Sequence, residues 1–300
     1  MKKIQIDILM TVHNGEKFLK QTVDSMKNQK FKNWKLIIIN NNSTDNTSKL
    51  LNKFQISSKK IKVFNTKRLL KRPKVLNFGL KLCKSNYIGI LDSDDIVNPN
   101  WLSDIEAIIK RNKKFGAIIG NYIPIDEKNK KLKKRGLFKI KQGIVNQSLS
   151  YTFPCAHSGS IFNGNILKKF KYPYEESLLT GHDWRLFLKI AILDKILFVN
   201  KNWILWRRYS QSLTAKNKII SKTDILRNLI YAKNSQLKTI NRMKNNFMII
   251  IQLFHLFKLF AIKKKINNFL LTFVLIFFFP IICFKNIFFL QFYLKQIRKL

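Results

Sequence analysis

The chain has 300 residues, which is enough for one or two domains with a complete hydrophobic core. Its 57 Lys and Arg against 16 Asp and Glu give a formal net charge of +41, which favours an anionic partner such as nucleic acid, a nucleotide or an acidic membrane surface. A genome biased toward Lys, Asn, Ile and Phe would give the same charge, so both explanations stay open. The scattered Cys83, Cys155 and Cys283 exclude a disulfide framework and a cysteine metal site, and we expect no secretory signal at the N-terminus.

Strand and helix signals alternate through the first 120 residues. Short apolar runs predict five strands, at residues 4–12, 35–40, 60–65, 86–92 and 116–123. Helical spacing and capping residues predict helices over residues 16–28, from a Ser43–Thr44 cap through Leu51, and from Pro73 through Leu80. This succession predicts an α/β fold with a mostly parallel sheet and helices on both faces.

The signals in the second half are weaker. Residues 124–150 are polar and rich in lysine, and we expect a mobile flap there. Residues 151–208 predict short strands and one helix over about 183–193, and residues 221–244 predict a basic helix.

The C-terminal tail is apolar and basic, and no acidic residue follows Asp224. Its stretch 269–284 carries no charge, but as a helix it would span roughly 24 Å, short of the roughly 30 Å hydrocarbon core of a bilayer, and Pro280 would kink it. A second apolar stretch, 247–262, is separated from it by Lys263–Lys265. This pattern predicts a helical tail that lies on or dips into the cytoplasmic side of a membrane, with a buried pair of core helices as the alternative.

Acidic residues cluster where the predicted strand 86–92 ends, in the tetrapeptide Asp92-Ser93-Asp94-Asp95. Ligands of open α/β sheets bind at the carboxyl ends of the strands. Two carboxylates one residue apart can hold a divalent cation, which most often serves a phosphate-bearing substrate. The alternative is a solvated turn that caps the helix after Pro99.

Two further polar loops, Met10 to Glu16 and Asn40 to Asp45, also follow predicted strands. Both should lie at the same edge of the sheet as the aspartates. Their backbone N–H groups and short side chains can hold a nucleotide base and its phosphates, although each loop alone is also ordinary turn chemistry.

Five segments, taken in order, resemble family 2 glycosyltransferases, which have the GT-A fold. The first three, ILMTVHNGEKFLKQTVDSMKNQKF, LIIINNNSTDNT and SNYIGILDSDD, resemble the nucleotide-binding half of that family. The resemblance resumes at residues 180–186 and 205–214, and the tail lies outside it. It implies a GT-A-like, Rossmann-type sheet, and the apolar helical tail predicted above follows that sheet in the chain.

The resemblance and the composition of the tail together predict three regions. Residues 1–120 would be the nucleotide-sugar-binding half, residues 121–215 the acceptor and catalytic half of the same domain, and residues 216–300 a basic and apolar membrane-associating tail.

The resemblance also implies roles for individual residues. The positions that would contact the nucleotide sugar are Thr11, His13, Glu16, Asn41, Arg72, Asn77 and Asp92. Asp94 and Asp92 match the D-x-D pair that holds a divalent cation, Mn²⁺ or Mg²⁺. Asp183 matches the catalytic base of inverting members, although a helix N-cap is the alternative for it.

Inverting sugar transfer requires these residue types. The attacking hydroxyl must lose its proton to a nearby carboxylate, and Asp183 would accept that proton. The leaving nucleoside diphosphate gains negative charge, which a divalent cation beside Asp94 would offset.

The chain departs from the family pattern at several positions. Asn41 replaces the usual Asp, so its amide can donate as well as accept, which weakens the preference for uridine. His182 replaces the usual Glu, and this neighbour would keep the pKa of Asp183 lower than an acidic one would. Tyr209 replaces the His of many members, which argues against a metal contact there. The Gln-x-x-Arg-Trp signature of processive members is absent, which predicts a single addition.

The sequence therefore predicts a metal-dependent inverting glycosyltransferase of the hexosyltransferase type. It would move one sugar from a nucleotide-diphosphate sugar, with a UDP-sugar favoured, to a glycan or lipid-linked acceptor in cell-surface polysaccharide or lipopolysaccharide synthesis. We expect it on the cytoplasmic side of the cell membrane, peripheral or anchored through the tail, in contact with the anionic membrane surface. The alternatives are a non-catalytic GT-A relative that scaffolds a membrane glycan-assembly complex, and a nucleic-acid-binding protein. The second lacks a recognisable motif, so no nucleic-acid partner is expected.

Overall fold

The computed structural model describes residues 4–111, 114–133, 140–153, 155–210, 212, 218–235, 237 and 241–263. Strands β1 to β9, in chain order, are Ile6–Val12, Trp34–Asn40, Ile61–Asn65, Tyr87–Ile90, Ile96–Val97, Ala117–Ile125, Gly143–Ile144, Ile161–Asn163 and Ile196–Arg207. Helices α1 to α9, in chain order, are Glu16–Lys27, Thr47–Ser57, Arg72–Leu82, Trp101–Arg111, Asn146–Leu149, Gly164–Leu167, His182–Leu193, Lys218–Asn234 and Arg242–Lys263.

The described strands form one mixed sheet in the order β3-β2-β1-β4-β8-β6-β9-β5, with β7 paired to β9. Strands β3, β2, β1 and β4 run parallel, and so do β6 and β9. Strand β8 is antiparallel to β4 and β6, while β5 and β7 are antiparallel to β9. The α/β fold class is confirmed. The sheet is mixed rather than mostly parallel because three strands of two or three residues turn back against their neighbours.

The parallel half brings three strand ends to one edge of the sheet. Strand β1 pairs with β2 as far as Val12 and Asn40, and with β4 as far as Leu9 and Ile90. One further backbone bond, from the N–H of Leu91 to the carbonyl of Leu9 at 3.0 Å, extends the second ladder. The loops that follow β1, β2 and β4 therefore leave the sheet side by side, as the sequence predicts.

The main core lies against this parallel half. Every residue of β1 is buried, as is typical of a strand covered on both faces. Helix α1 contributes Leu19, Val23 and Met26 to the core, and α4 contributes Trp101. Each such side chain contributes about 1.5–3 kcal/mol through burial, which fixes the strands whose ends carry the polar loops.

The second helix does not begin at the predicted cap. Helix α2 begins at Thr47, after Asn46. Ser43 instead accepts a hydrogen bond at 3.0 Å from the backbone N–H of Asn14, and Thr44 donates its N–H to the Asn14 side-chain oxygen at 2.8 Å. These residues therefore join the loops after β1 and β2 instead of starting a helix.

The region 124–150 contains more regular structure than the expected flap. Strand β6 continues to Ile125, and β7 and α5 lie within 143–149. Residues 134–139 lie outside the described residues.

The predicted helix 221–244 is wrong as a single element. Helix α8 ends at Asn234 and α9 begins at Arg242. The side-chain oxygen of Asn241 accepts the N–H of Lys244 at 3.0 Å, so Asn241 starts a new helix. Basic residues continue through the segment between the two helices, so the charge pattern alone does not indicate that the helix is interrupted.

The chain divides into two compact units, residues 1–249 and residues 250–300. The described part of the second unit is the segment 250–263 of α9. In the described part of the chain, no helix is long and apolar enough to cross a membrane. The predicted tail stretch 269–284 lies outside the described residues.

Candidate active site

Three carboxylates meet in the loop after β4. Asp92, Asp94 and Asp95 each present an oxygen, and these oxygens lie within 4.8 Å of one another. The backbone N–H of Asp92 donates to the hydroxyl of Ser158 at 3.2 Å, and that of Asp95 donates to the Asp92 carbonyl at 3.3 Å. The loop is thus a tight turn that aims three acidic side chains at one place.

The electrostatics of this cluster favour a cation. Burial raises the pKa of Asp94, and the charge of Asp92 raises it further. Burial also raises the pKa of Asp95 well above its usual value, with the charges of Asp94 and Asp92 adding to the effect. One oxygen of Asp95, Oδ2, is buried with no hydrogen-bond partner in the described residues. Crowded oxygen ligands with an unpartnered atom fit a hard divalent cation, and Asp95 joins the predicted pair.

Arg72 links these aspartates to the predicted base. It lies at the start of α3 and forms an ion pair with Asp92. The charge of Asp92 is the main cause of its raised pKa, and the charges of Asp94 and Asp183 raise it further. One guanidinium therefore interacts with three carboxylates that are far apart in the sequence.

Asp183 lies in the first turn of α7. The helix begins at His182 after Gly181, which adopts the left-handed conformation at φ 63°, so Asp183 is not the N-cap. Its Oδ1 accepts the N–H of Trp184 at 2.8 Å. Burial raises the pKa of Asp183, while the Trp184 N–H and the charge of Arg72 partly oppose the rise. A carboxylate of this kind holds a proton more readily than a solvated one, which suits a general base.

The neighbour His182 is 5% exposed and its Nδ1 has no partner in the described residues. Burial lowers the pKa of His182 well below its usual value, with the charges of Arg72 and His157 adding to the effect. The ring is therefore neutral at physiological pH. Burial remains the main influence on Asp183 and raises its pKa, while the comparison with an acidic neighbour stays a prediction.

Arg207 contacts two aspartates of the cluster, and the sequence analysis assigned it no role. It is 3% exposed, and its backbone N–H donates to the Asp95 Oδ1 at 2.8 Å while its Nε donates to the Asp94 carbonyl at 2.8 Å. Its other nitrogens donate to the Asp126 carbonyl and to the side chains of Asn129 and Gln21, at 2.8 to 2.9 Å.

Tyr209 contacts the cluster directly. A hydrogen bond joins its side chain to Asp94 and partly opposes the rise in the pKa of that carboxyl. Its ring also packs edge-on against Phe18, with centroids 5.5 Å apart. The residue that replaces the family's His thus lies beside the predicted metal ligand. In the sequence, the position of Tyr209 directly after Arg207 and Arg208 was the signal that could have assigned it to the site.

The loops after β1 and β2 are tied together. His13 bonds through Nδ1 to the carbonyl of Asn41 at 3.0 Å. Glu16 accepts both the backbone N–H and the side-chain amide of Asn46 at 2.9 Å. Thr11 is buried near the end of β1. These predicted nucleotide contacts share one edge, and His13 and Glu16 are exposed there.

The side chain of Asn41 is largely occupied within the protein. Its oxygen accepts the N–H of Leu70 at 2.9 Å and the hydroxyl of Thr66 at 3.2 Å, and its amide donates to the Leu70 carbonyl at 2.9 Å. Asn41 thereby fixes the segment that leads to Arg72.

Asn77 is held apart from the aspartates by its own partners. Its amide donates to the Tyr174 carbonyl at 2.9 Å and to Glu176 at 3.2 Å, and its oxygen accepts the Tyr174 N–H at 2.9 Å. The side chain joins α3 to the segment 173–176, so its polar atoms are already engaged.

The acidic groups cluster at the carboxyl ends of the strands, which is where open α/β sheets bind their ligands. The fold and the site together place the protein among the ligand-binding α/β proteins. The glycosyl transferase family 2 model matches residues 7–169, more than half of the chain, and the chain belongs to that family.

Two relatives illustrate the similarity in sequence. A glycosyltransferase of Haemophilus influenzae is 22% identical over 196 residues, which is 63% of this chain and 60% of that protein. The chain thus spans less than two thirds of the length of this relative. The UDP-Glc:alpha-D-GlcNAc-diphosphoundecaprenol beta-1,3-glucosyltransferase WfgD of Escherichia coli is 27% identical over 216 residues, 71% of this chain and 80% of that protein.

Two solved structures share the fold. Staphylococcus aureus TarS 1–349 in complex with UDP-GlcNAc superposes with a TM-score of 0.67 and 17% identity, over 88% of this chain and 76% of that one. The mannosyltransferase PcManGT of Pyrobaculum calidifontis, in complex with GDP-Man and Mn²⁺, superposes with a TM-score of 0.62 and 12% identity, over 84% and 74%.

Proposed function

We propose that this protein is a metal-dependent, inverting glycosyltransferase that moves one sugar from a nucleotide-diphosphate sugar to a glycan or lipid-linked acceptor. The observation that carries the proposal is the convergence of Asp92, Asp94 and Asp95 within 4.8 Å, with Arg72 joining them electrostatically to Asp183. Family membership supports the reaction class.

The clustered aspartates and the separate Asp183 would have different roles in the reaction. Asp94 and Asp92, with Asp95 behind them, would hold Mn²⁺ or Mg²⁺, and such an ion supplies positive charge that offsets the charge developing on the diphosphate. Arg72 is placed to share that task, since its guanidinium already faces these acids. Asp183 would take the proton of the acceptor hydroxyl, because it is the carboxylate with a raised pKa outside the cluster.

The donor and acceptor are proposed from the similar proteins. The TarS complex contains UDP-GlcNAc and WfgD is named for UDP-Glc, so we favour a UDP-sugar donor. The name of WfgD describes a diphosphoundecaprenol-linked acceptor, which supports a lipid-linked acceptor here. The exposed ring of His13 and the loops around it form the edge where the nucleotide would bind. Such an enzyme would act in cell-surface polysaccharide or lipopolysaccharide synthesis.

The three regions predicted from the sequence remain part of the proposal. Residues 1–120 would bind the nucleotide sugar, residues 121–215 would supply Asp183 and the acceptor pocket, and residues 216–300 would associate with the cytoplasmic side of the cell membrane.

A donor screen tests the proposal. The full chain is incubated with UDP- and GDP-sugars, with Mn²⁺ or EDTA, and with a diphosphoundecaprenol-linked sugar as acceptor. We expect nucleotide release and an extended acceptor in the presence of Mn²⁺ and neither of them in the presence of EDTA. The new glycosidic bond should have the anomeric configuration opposite to that of the donor sugar. A product with retained configuration would overturn the inverting mechanism, and tight nucleotide binding without turnover would favour the scaffold alternative.

A further inference from the structure

A cavity lies at the opposite edge of the sheet from the aspartates. It has a volume of about 350 Å³ and lies where α3 ends, β4 begins and α6 packs. Lys84 and Ser85 line it just before β4, whose other end leads to Asp92. The residues that line it are Asn77, Leu80, Lys81, Cys83, Lys84, Ser85, Ile88, Gly164, Leu167, Lys168, Phe170, Lys171 and Pro173.

Four lysines line this cavity, and no Asp or Glu is among the described residues that line it. They are Lys81, Lys84, Lys168 and Lys171. All four are exposed, and none forms a salt bridge with a described residue. The nearby Asp7 carboxylate is bonded to backbone N–H groups rather than to an ammonium group, so the four lysine charges favour an anionic ligand.

The walls of the cavity are held by buried contacts. The Asp7 carboxylate accepts the backbone N–H groups of Lys84 and Ser85 at 2.7 and 2.9 Å. The N–H of Gly164 donates to the Asn86 carbonyl at 2.7 Å, and a Cβ at Gly164 would lie 3.1 Å from the Ser85 carbonyl oxygen. The backbone that carries Lys84 is thus held by Asp7 and, two residues later, by Gly164.

The interior of the cavity is apolar. Leu80, Ile88, Leu167 and Phe170 line it, and of these Ile88 and Leu167 are buried. A small inorganic anion would use only the lysines. A phosphate joined to an apolar chain would use both the lysines and the interior.

An amphipathic aromatic residue, Tyr172, lies in the sequence between two residues that line the cavity, Lys171 and Pro173. Tyr172 is 48% exposed, and the Lys171 ammonium lies 5.6 Å from its ring centroid. Tyr beside Lys is the pairing found where proteins meet the head-group region of a membrane.

We propose that this cavity binds the phosphate of an anionic membrane phospholipid, with the four lysines around the phosphate and the apolar interior against the adjoining part of the lipid. The site is independent of glycosyl transfer, because it lies at the other edge of the sheet. It would bring the first compact unit to the membrane through its own surface, separately from the tail.

A short-chain lipid tests this site in the full chain. Calorimetry measures binding of monomeric dihexanoyl phosphatidylglycerol, dihexanoyl phosphatidylcholine and inorganic phosphate. The test variant carries Lys81→Gln, Lys84→Gln, Lys168→Gln and Lys171→Gln. The matched control, with the same charge change at exposed lysines outside the cavity, carries Lys35→Gln, Lys49→Gln, Lys53→Gln and Lys59→Gln.

We expect the cavity variant to lose at least about tenfold in affinity for phosphatidylglycerol while the control variant keeps the wild-type affinity. Phosphatidylcholine should bind more weakly than phosphatidylglycerol, and Phe170→Ser should weaken lipid binding without changing phosphate binding. Equal losses in both lysine variants, or no loss in the cavity variant, would overturn the site. Inorganic phosphate that binds as tightly as the lipid would overturn the lipid assignment. Nucleotide binding with Mn²⁺ should be the same in all variants, so failure here is separable from failure of the proposed reaction.

Discussion

At the scale of single residues, the fold makes ionisation of Asp94 and Asp95 unfavourable. Burial and mutual repulsion raise the pKa of Asp94 and Asp95, so their ionised forms cost folding stability above the ordinary pKa of 3.8. This cost is the expected signature of a site that gains its stability from a ligand cation.

Asp94→Asn should weaken metal-dependent nucleotide binding by more than about tenfold, since changes behind a metal ligand alone cost about 10–100-fold. Calorimetry with UDP, with and without Mn²⁺, measures the effect. Asp24→Asn, at an exposed residue paired with Lys20, is the control. The metal-free variant should melt no lower than wild type at pH 7, because the raised pKa means that ionised Asp94 opposes folding there. Unchanged affinity with Mn²⁺ would remove Asp94 from the metal site.

Asp183→Asn should lower turnover by roughly 10²-fold or more, with UDP binding nearly intact, because the amide cannot accept a proton. The pH profile adds a second readout. The pKa of Asp183 is raised above 3.8, so its ionised fraction falls, and kcat with it, as the pH drops through that raised value. The residual activity of Asp183→Asn should not follow this acidic limb. Near-normal turnover in the variant, or lost nucleotide binding, would mean that another group is the base.

At the scale of secondary-structure elements, Arg207 joins the end of β9 to three others. Its side chain reaches the loop after β4, the turn after β6 and helix α1. The guanidinium carbon also lies 4.3 Å from the ring centroid of Phe18 in α1. A single buried cation therefore sets the distance between these elements and the carbonyl of Asp94.

Arg207→Met should lower the free energy of unfolding by about 1–3 kcal/mol, because several part-buried acceptors would lose a charged donor. Urea unfolding measures this change. Arg208→Met is the matched control, since Arg208 is exposed and stacks on Trp206 at 5.3 Å. We also expect Arg207→Met to weaken Mn²⁺-dependent UDP binding more than it weakens metal-free binding. Equal unfolding free energies in the two variants would contradict this role.

The elements that could be predicted from the sequence are those whose own residues determine them. Strands β1 and β2 are built around the apolar runs Ile8–Met10 and Leu36–Ile39, and the Asp92 tetrapeptide directly follows another apolar run. Strands β5 and β7 have two residues each and form only because β9 is beside them. Arg207 could not be assigned from the sequence, because its partner Gln21 is 186 positions away.

At the scale of the whole molecule, the boundary between the two compact units determines where the tail can be truncated without removing part of the core of the first unit. Asn245 is fully buried, and its amide donates to the carbonyls of Ser150 and Leu229. Phe247 and Met248 are also buried. The start of α9 therefore belongs to the first unit, and a cut at Asn245 would remove part of its core.

Truncation after Lys263 should separate the two modes of membrane binding. The apolar stretch 269–284 is then lost, while the buried start of α9 and the lysine-lined cavity remain. We expect the full chain to stay on vesicles of anionic lipid in 1 M salt, where the Debye length is about 3 Å, because apolar contact is not screened. The truncated chain should bind at low salt only and should keep Mn²⁺-dependent UDP binding. A second truncation after Lys244 should lower the melting temperature, because Asn245 leaves two buried carbonyls without a donor. Vesicle flotation of the full chain and of the chain truncated after Lys263, over a series of salt concentrations, measures their membrane binding. A full chain that salt releases as readily as the truncated one would show that the tail adds no apolar contact with the membrane.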